Sequence, residues 1–286
     1  MKNENLPEYN FREDALKLGF EIVSISDFFD SVDENQRSKP HIINFYAVIF
    51  ITSNSGKHHI DFKPYSFKAS NLIFIGKNQV HAWDIKNNCK GFIIFFTEHF
   101  LFRNQLQFED LSYSYPYNSN LYHPILETNN EESYSLLFSL LDNEYKNIST
   151  SKEEILQCLV RSLILKIQPD EENLDEDFNT KQLFIEFQKL LDQNISHTRN
   201  AKDYCQMLNL SYYHLNSICK TYTKKSVKAF IDDIIIINAK RLLSDPTNNT
   251  SEVSYGLGFE EPSNFTKFFK SRTGETPKLF KGNISK

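Results

Sequence analysis

SEVSYGLGFEEPSNFTKFFKSRT, from Ser251 to Thr273, divides itself into two short helices about a glycine. Hydroxyl residues at its start are helix-capping types, and Val253, Ser254 and Leu257 share one helical face, which gives a first helix of about two turns. Gly258 can take a positive φ without a Cβ penalty, so the chain turns sharply there, and small Ser254 leaves room for the next helix to cross. Pro262 suits a helix start, while Phe265, Phe268 and Phe269 repeat at the i, i+3, i+4 spacing of a buried stripe. Ser263, Asn264, Thr266, Lys267 and Lys270 are left for the opposite face. Gly274 offers a left-handed stop, and Thr276-Pro277 begins a short closing helix that contains Phe280. The pattern is a helix-turn-helix.

A weaker copy lies upstream, from Ala201 to Thr223. Cys205 fills its small-residue slot, Asn209 replaces the turn glycine, and Ser211 caps a helix that buries Leu215 and Ile218. Asn tolerates the left-handed region better than most residues, so the turn survives. Tyr212, Tyr213, Asn216, Ser217 and Lys220 face outward. Between the copies, Val227 to Ser244 is rich in Ile and Leu and forms one helix, spanning about 27 Å at roughly 1.5 Å per residue. With helix widths added, the two second helices approach the roughly 34 Å between successive major-groove openings on one face of DNA.

The C-terminal third resembles the AraC/XylS family of bacterial transcription regulators, with Leu257 to Pro277 (LGFEEPSNFTKFFKSRTGETP) close to the family signature. In the first motif the chain departs from the usual family pattern: Lys224 stands where Gly is common, Val227 where Pro is frequent and Cys219 where Phe is common. On that resemblance, Tyr212, Tyr213, Asn216 and Ser217, and then Pro262, Ser263, Asn264 and Lys267, occupy positions that commonly face base edges. Asn216 or Asn264 could pair bidentately with adenine, Lys267 could reach guanine, and the tyrosines could meet thymine methyls or phosphates. Lys220, Lys224, Lys240, Arg241 and Lys270 suit phosphate contacts, which fix register without reading sequence. The bland alternative for each of these side chains is a solvated surface.

Charge is distributed as this reading requires. The net charge is −5, but from residue 181 onward 16 Lys and Arg stand against 10 Asp and Glu. The basic excess therefore sits where DNA phosphates are to be met. A length of 286 residues allows two domains of ordinary size. No apolar run reaches the roughly twenty residues that span a bilayer, and the N-terminus lacks a signal-peptide core, so a cytoplasmic protein is expected. Cys89, Cys158, Cys205 and Cys219 lie far apart with no CxxC pair, which indicates reduced, mostly packed thiols rather than a disulfide framework or zinc cluster.

The first half changes character. Ile43–Thr52, His58–Phe62, Asn71–Ile75 and Gly91–Thr97 are short runs rich in β-forming residues, broken by turn signals at Asn54-Ser-Gly56 and Gly76-Lys-Asn78. They predict a small antiparallel barrel or sandwich. This half resembles the cupin-type sensor domain of many AraC-type regulators, and Gly76 to Trp83 is similar to that family's loop between barrel strands. Glu131–Tyr145 and Ser151–Ile167 predict two amphipathic helices; in similar proteins such a pair packs on the barrel and often forms a dimer contact, the alternative being a hairpin that merely covers the barrel. Six acids within Pro169–Asp177 indicate a solvated linker.

The fold class expected is α+β: a cupin-like sensor domain over residues 1–125, a helical dimerisation segment over 126–168, an acidic linker over 169–180, and an all-α double helix-turn-helix domain over 181–286. A ligand pocket lined by His41, Phe45, His81 and Trp83 would be natural in the barrel, although the same residues could simply fill its core. No Ser/His/Asp order, phosphate-cradling Gly-rich loop or reactive Cys setting supports catalysis, and no cofactor or metal is called for. His58 and His59 are adjacent, so strand alternation lets only one face inward. The expected protein is a regulator that binds promoter DNA, responds to a small-molecule effector, acts as a homodimer and has RNA polymerase as a further partner. Its alternatives are a metal-dependent cupin enzyme fused to a DNA module, or a regulator controlled by a protein partner.

Overall fold

The computed structural model describes residues 13–84, 88–102, 111–167 and 178–284, and the chain divides into two compact units between Pro169 and Asp170. Among the described residues of the first unit, nine strands form two antiparallel sheets. They are β1 (Phe20–Ser24), β2 (His41–Ile42), β3 (Tyr46–Ser53), β4 (Gly56–Ile60), β5 (Lys63–Phe67), β6 (Asn71–Ile75), β7 (Val80–Trp83), β8 (Lys90–Phe96) and β9 (Ile125–Glu127). The larger sheet runs β1-β8-β3-β6-β9 and the smaller β2-β7-β4-β5. Each is a separate hydrogen-bonded ladder, so the expected barrel is an open one.

The run Tyr46–Ile51 is apolar at every position because the larger sheet is covered on both faces. Ala47, Ile49 and Ile51 share a cluster with Ile60, Phe67 and Trp83 of the smaller sheet. Tyr46, Val48 and Phe50 point the other way, into a second cluster completed by Phe138, Leu141, Leu156, Val160 and Leu163. These last residues belong to α5 (Glu131–Lys146) and α6 (Lys152–Lys166), each within a residue or so of its expected span. Short helices α1 (Glu13–Leu18), α2 (Ile25–Ser31), α3 (Glu34–Ser38) and α4 (Glu98–Leu101) and a 3-10 turn at Leu111–Tyr113 also belong to the unit.

Two features differ from the sequence reading. Of the stretch expected as a loop, only Gly76–Gln79 turns, held by a 2.6 Å hydrogen bond from the Gly76 N–H to Gln79 Oε1; Val80–Trp83 is strand β7. The other is strand β5, whose KPYSF sequence carries a proline and suits only the edge of a ladder, where the structure has it.

The elements of the second unit are, among the described residues, all helical: α7 (Phe178–Asn194), α8 (Ala201–Met207), α9 (Tyr212–Thr223), α10 (Val227–Ser244), α11 (Thr250–Gly256), α12 (Pro262–Thr273) and α13 (Pro277–Ile284). Residues 169–177 of the expected linker lie outside the described residues, and 178–180 already form the first turn of α7. Helix α7 buries Phe184, Phe187 and Leu191. Phe184 stacks on Tyr222, with centroids 5.1 Å apart, and lies 5.4 Å from Phe230. Phe187 meets Tyr204 edge-on at 5.6 Å.

Phe138 is fully buried and stacks on Phe50 at 5.0 Å, so it fastens α5 to the larger sheet. Phe138→Ala is expected to lower unfolding stability by about 3–5 kcal/mol. Urea unfolding checks this, and an unshifted midpoint would show that the helix pair does not depend on that contact.

Candidate nucleic-acid interface

The two motifs match in length, with α8 and α11 of 7 residues and α9 and α12 of 12. Left-handed residues make both turns, Asn209 at φ 53° and Gly258 at φ 73°. Cys205 and Ser254, the small residues, are buried at the helix crossings. Ser211 Oγ accepts the His214 N–H at 3.2 Å and so caps α9. Helix α11 is capped by Asn249, two residues before its expected hydroxyl start at Ser251. Asn249 Oδ1 accepts from the Ser251 and Glu252 N–H groups at 3.0 and 2.9 Å, and the Glu252 carboxylate accepts the Asn249 N–H in return.

Each second helix buries one stripe and presents another. In α9, Leu215, Ile218 and Cys219 are buried, while Tyr212, Tyr213, Ser217 and Lys220 are exposed. In α12, Phe265 and Phe269 are buried, Pro262 and Phe268 are half-buried, and Ser263, Asn264, Lys267 and Lys270 are exposed. Both helices end in a left-handed residue, Lys224 at φ 59° and Gly274 at φ 84°. Lys224 bonds its own helix end through Nζ to the Thr221 carbonyl at 3.0 Å. Lys240 and Arg241 are half-buried on α10, with Lys240 Nζ 5.4 Å from the Phe280 ring centroid.

Asn216 also makes a bond within the helical unit. Its Oδ1 accepts the Val227 N–H at 3.1 Å, tying α9 to the start of α10. A proline at position 227 would have no N–H to satisfy; with Val227 there, the buried donor takes the Asn216 oxygen. The bond occupies one lone pair of that oxygen and leaves the other for accepting from adenine.

In the first unit, a cavity of about 10 Å³, roughly the room of one water molecule, is lined by Phe28, His41, Ile43, Ala47, Ile49, Ile75, His81, Trp83, Ile93 and Phe95. Phe45, expected on its wall, instead packs edge-on against Phe95 at 5.4 Å. His58 is fully buried while His59 is only half-buried, as strand alternation dictates. His58 Nε2 lies 3.2 Å from His81 Nδ1, and the His41 and His81 rings are 4.0 Å apart. Burial lowers the basicity of all three, taking His58 down to about 3, and mutual repulsion deepens the effect at His58 and His81. The imidazoles are therefore neutral at pH 7.

Among the described residues, no group of three or more His, Cys, Asp or Glu side chains, the three adjoining histidines included, is arranged so that it could hold a metal ion. The four cysteines are unpaired thiols, and burial pushes Cys89 up to about 11 and Cys219 to about 12, so neither is a ready nucleophile. No helix among the described residues is long and apolar enough to cross a membrane.

A family model described as a helix-turn-helix domain matches residues 204–283. The HTH-type transcriptional activators RhaS of Escherichia coli O139:H28 (strain E24377A / ETEC) and of Shigella flexneri are each 20% identical over 268 residues, covering 88% of this chain and 94% of theirs. Among solved structures, ToxT from Vibrio cholerae O395 is similar with a TM-score of 0.46 and 16% identity, over 93% of this chain and 98% of that one. The C-terminal domain of the response regulator yesN from Fusobacterium nucleatum gives 0.32 and 23%, over 36% of this chain and 98% of its own.

Paired helix-turn-helix motifs on one connecting helix, in a chain alignable along most of its length with transcription activators, define a DNA-binding transcription regulator. The resemblance to the AraC/XylS family is carried by the match of residues 204–283 and by the similarity to the RhaS activators along most of the chain.

The second turn depends on Gly258, since an added Cβ would lie 2.6 Å from the Ser196 carbonyl oxygen. With φ at 73° besides, Gly258→Ala is expected to cost about 2 kcal/mol or more. A thermal melt no lower than that of the parent would contradict this reading. The histidines give a second expectation, with a definite sign. Each binds a proton more weakly folded than unfolded, so stability is whole above the unfolded pKa of 6.5 and is lost as pH falls toward about 3. The urea midpoint of the β unit should drop between about pH 7 and pH 5, and His81→Gln should shrink the drop. Equal midpoints in the parent would refute it.

Proposed function

We propose that the protein reads a promoter duplex at two successive major-groove segments, with α9 and α12 as the reading helices. Tyr212, Tyr213, Asn216 and Ser217 on the first, and Pro262, Ser263, Asn264 and Lys267 on the second, are the base-facing residues. Lys220 and Lys270 hold phosphates at the matching ends of the two helices, aided by Lys224, Lys240 and Arg241. The observation that carries this reading is the repetition: two helices of equal length each bury an apolar stripe against the same unit and present polar side chains at corresponding positions.

Control is assigned to a small molecule in the β unit, at the cavity that His41, His81 and Trp83 help to line. At its present size the cavity admits no more than water, so effector binding must enlarge it, and a ligand shifts an equilibrium only by its differential affinity for the two states. Self-association as a homodimer is assigned to α5 and α6, where Leu136, Leu140, Ile155 and Leu165 are exposed. The protein acts in the cytoplasm without catalysis of its own, and RNA polymerase is its partner in activation. Residues 1–125 sense, 126–168 associate, and 169–177 link these to the DNA-binding helices.

Duplexes selected by the intact protein from a random-sequence pool supply the test. Asn264→Ala and Lys267→Ala should each reduce preference for those duplexes over random DNA by about 1–3 kcal/mol. Unchanged preference in the double variant would remove α12 from base reading.

A further inference from the structure

Two helix-turn-helix motifs joined by one helix read two groove segments in register only if something fixes the angle between them. The connecting helix α10 does part of this by packing. A second set of contacts, which bypasses that apolar packing, runs from the loop before α8 to the turn of the second motif. Gly258 lies against the Ser196 backbone closely enough to exclude a Cβ. Three residues after Ser196, the Arg199 guanidinium lies over the Phe259 ring, 3.7 Å from its centroid. The same guanidinium is attracted by Asp232 on α10 and by Glu260 beside Phe259.

Asp232 completes the arrangement. It is buried, forms an ion pair with Arg272 in the last turn of α12, and is attracted by Arg199 as well. One carboxylate on the connecting helix thus faces a cation from the first motif's approach and a cation from the second motif's reading helix. Burial raises the Asp232 pKa against the pull of Arg272, Lys228 and Arg199, so the charged form depends on its cations.

We propose that Arg199, Asp232 and Arg272 act as a clamp that sets the relative position of α9 and α12, and with it the number of base pairs allowed between the two half-sites the protein accepts. These are positioning residues, and none of the three is among the base readers or phosphate partners assigned above. The proposal rests on the double-motif reading. It adds that half-site spacing is determined by this polar contact in addition to the length of α10.

The experiment is selection of bound duplexes from a random-sequence pool, followed by sequencing, with the full chain and its Arg272→Gln and Arg272→Lys variants. The parent should enrich two half-motifs at a single separation. Arg272→Gln should enrich the same half-motifs, with discrimination against separations one base pair longer or shorter reduced about tenfold, the size typical of coupling between contacting residues. Arg272→Lys, which keeps the charge opposite Asp232, should restore most of the single separation. A single separation in Arg272→Gln, or altered half-motifs at unchanged separation, would overturn the clamp. Should Arg272→Gln fail to melt cooperatively, Arg199→Gln takes its place: broadened separation supports the clamp, and a single separation overturns it. Failure of the parent itself to enrich any paired motif would instead count against the DNA-reading assignment.

Discussion

The burial of α10 is the constraint on which the DNA-binding unit depends. Val227, Phe230, Ile231, Ile235, Ala239 and Leu243 are all removed from water along an 18-residue helix. A helix so apolar cannot stand alone between two modules, because its sides must be covered. The cover is supplied by α8 and α9 of the first motif and by α11 and α13 of the second. Packing the rod therefore brings both motifs onto it, and the exposed stripes of α9 and α12 are what remains after the buried ones are used.

Much of this was legible because the signals are local. Gly258, Gly274, Pro262 and Ser211 act within a few residues of themselves, and α10 starts and stops where its apolar run does. Helix α7 escapes such a reading, although Phe184, Phe187 and Leu191 have helical spacing, since the acidic run before it draws the segment toward a linker. The bond between Asn216 and Val227 and the stacking of Arg199 on Phe259 have no local signature. They join residues 11 and 60 positions apart and exist only once the helices have packed.

The β unit shows a similar division. Its strongest runs, in β3, β6 and β8, are apolar at nearly every position because helices cover one face of their sheet and the smaller sheet covers the other. Short segments such as β2, β5 and β9 have little pattern of their own and form by pairing. Of the four residues expected around a pocket, His41, His81 and Trp83 line one and Phe45 does not. His58, the missed member of the histidine cluster, is marked by its place in the adjacent pair His58-His59, since only one of the two can face inward.

The chain carries two devices, a neutral, buried histidine cluster beside a water-sized cavity in the first unit and a twice-repeated helix-turn-helix in the second. The central claim concerns the second device, and hydroxyl-radical footprinting on a selected duplex addresses it most directly. The account requires two protected patches per bound monomer on one face of the DNA, about 10 base pairs apart. A single patch, or two on opposite faces, would contradict it.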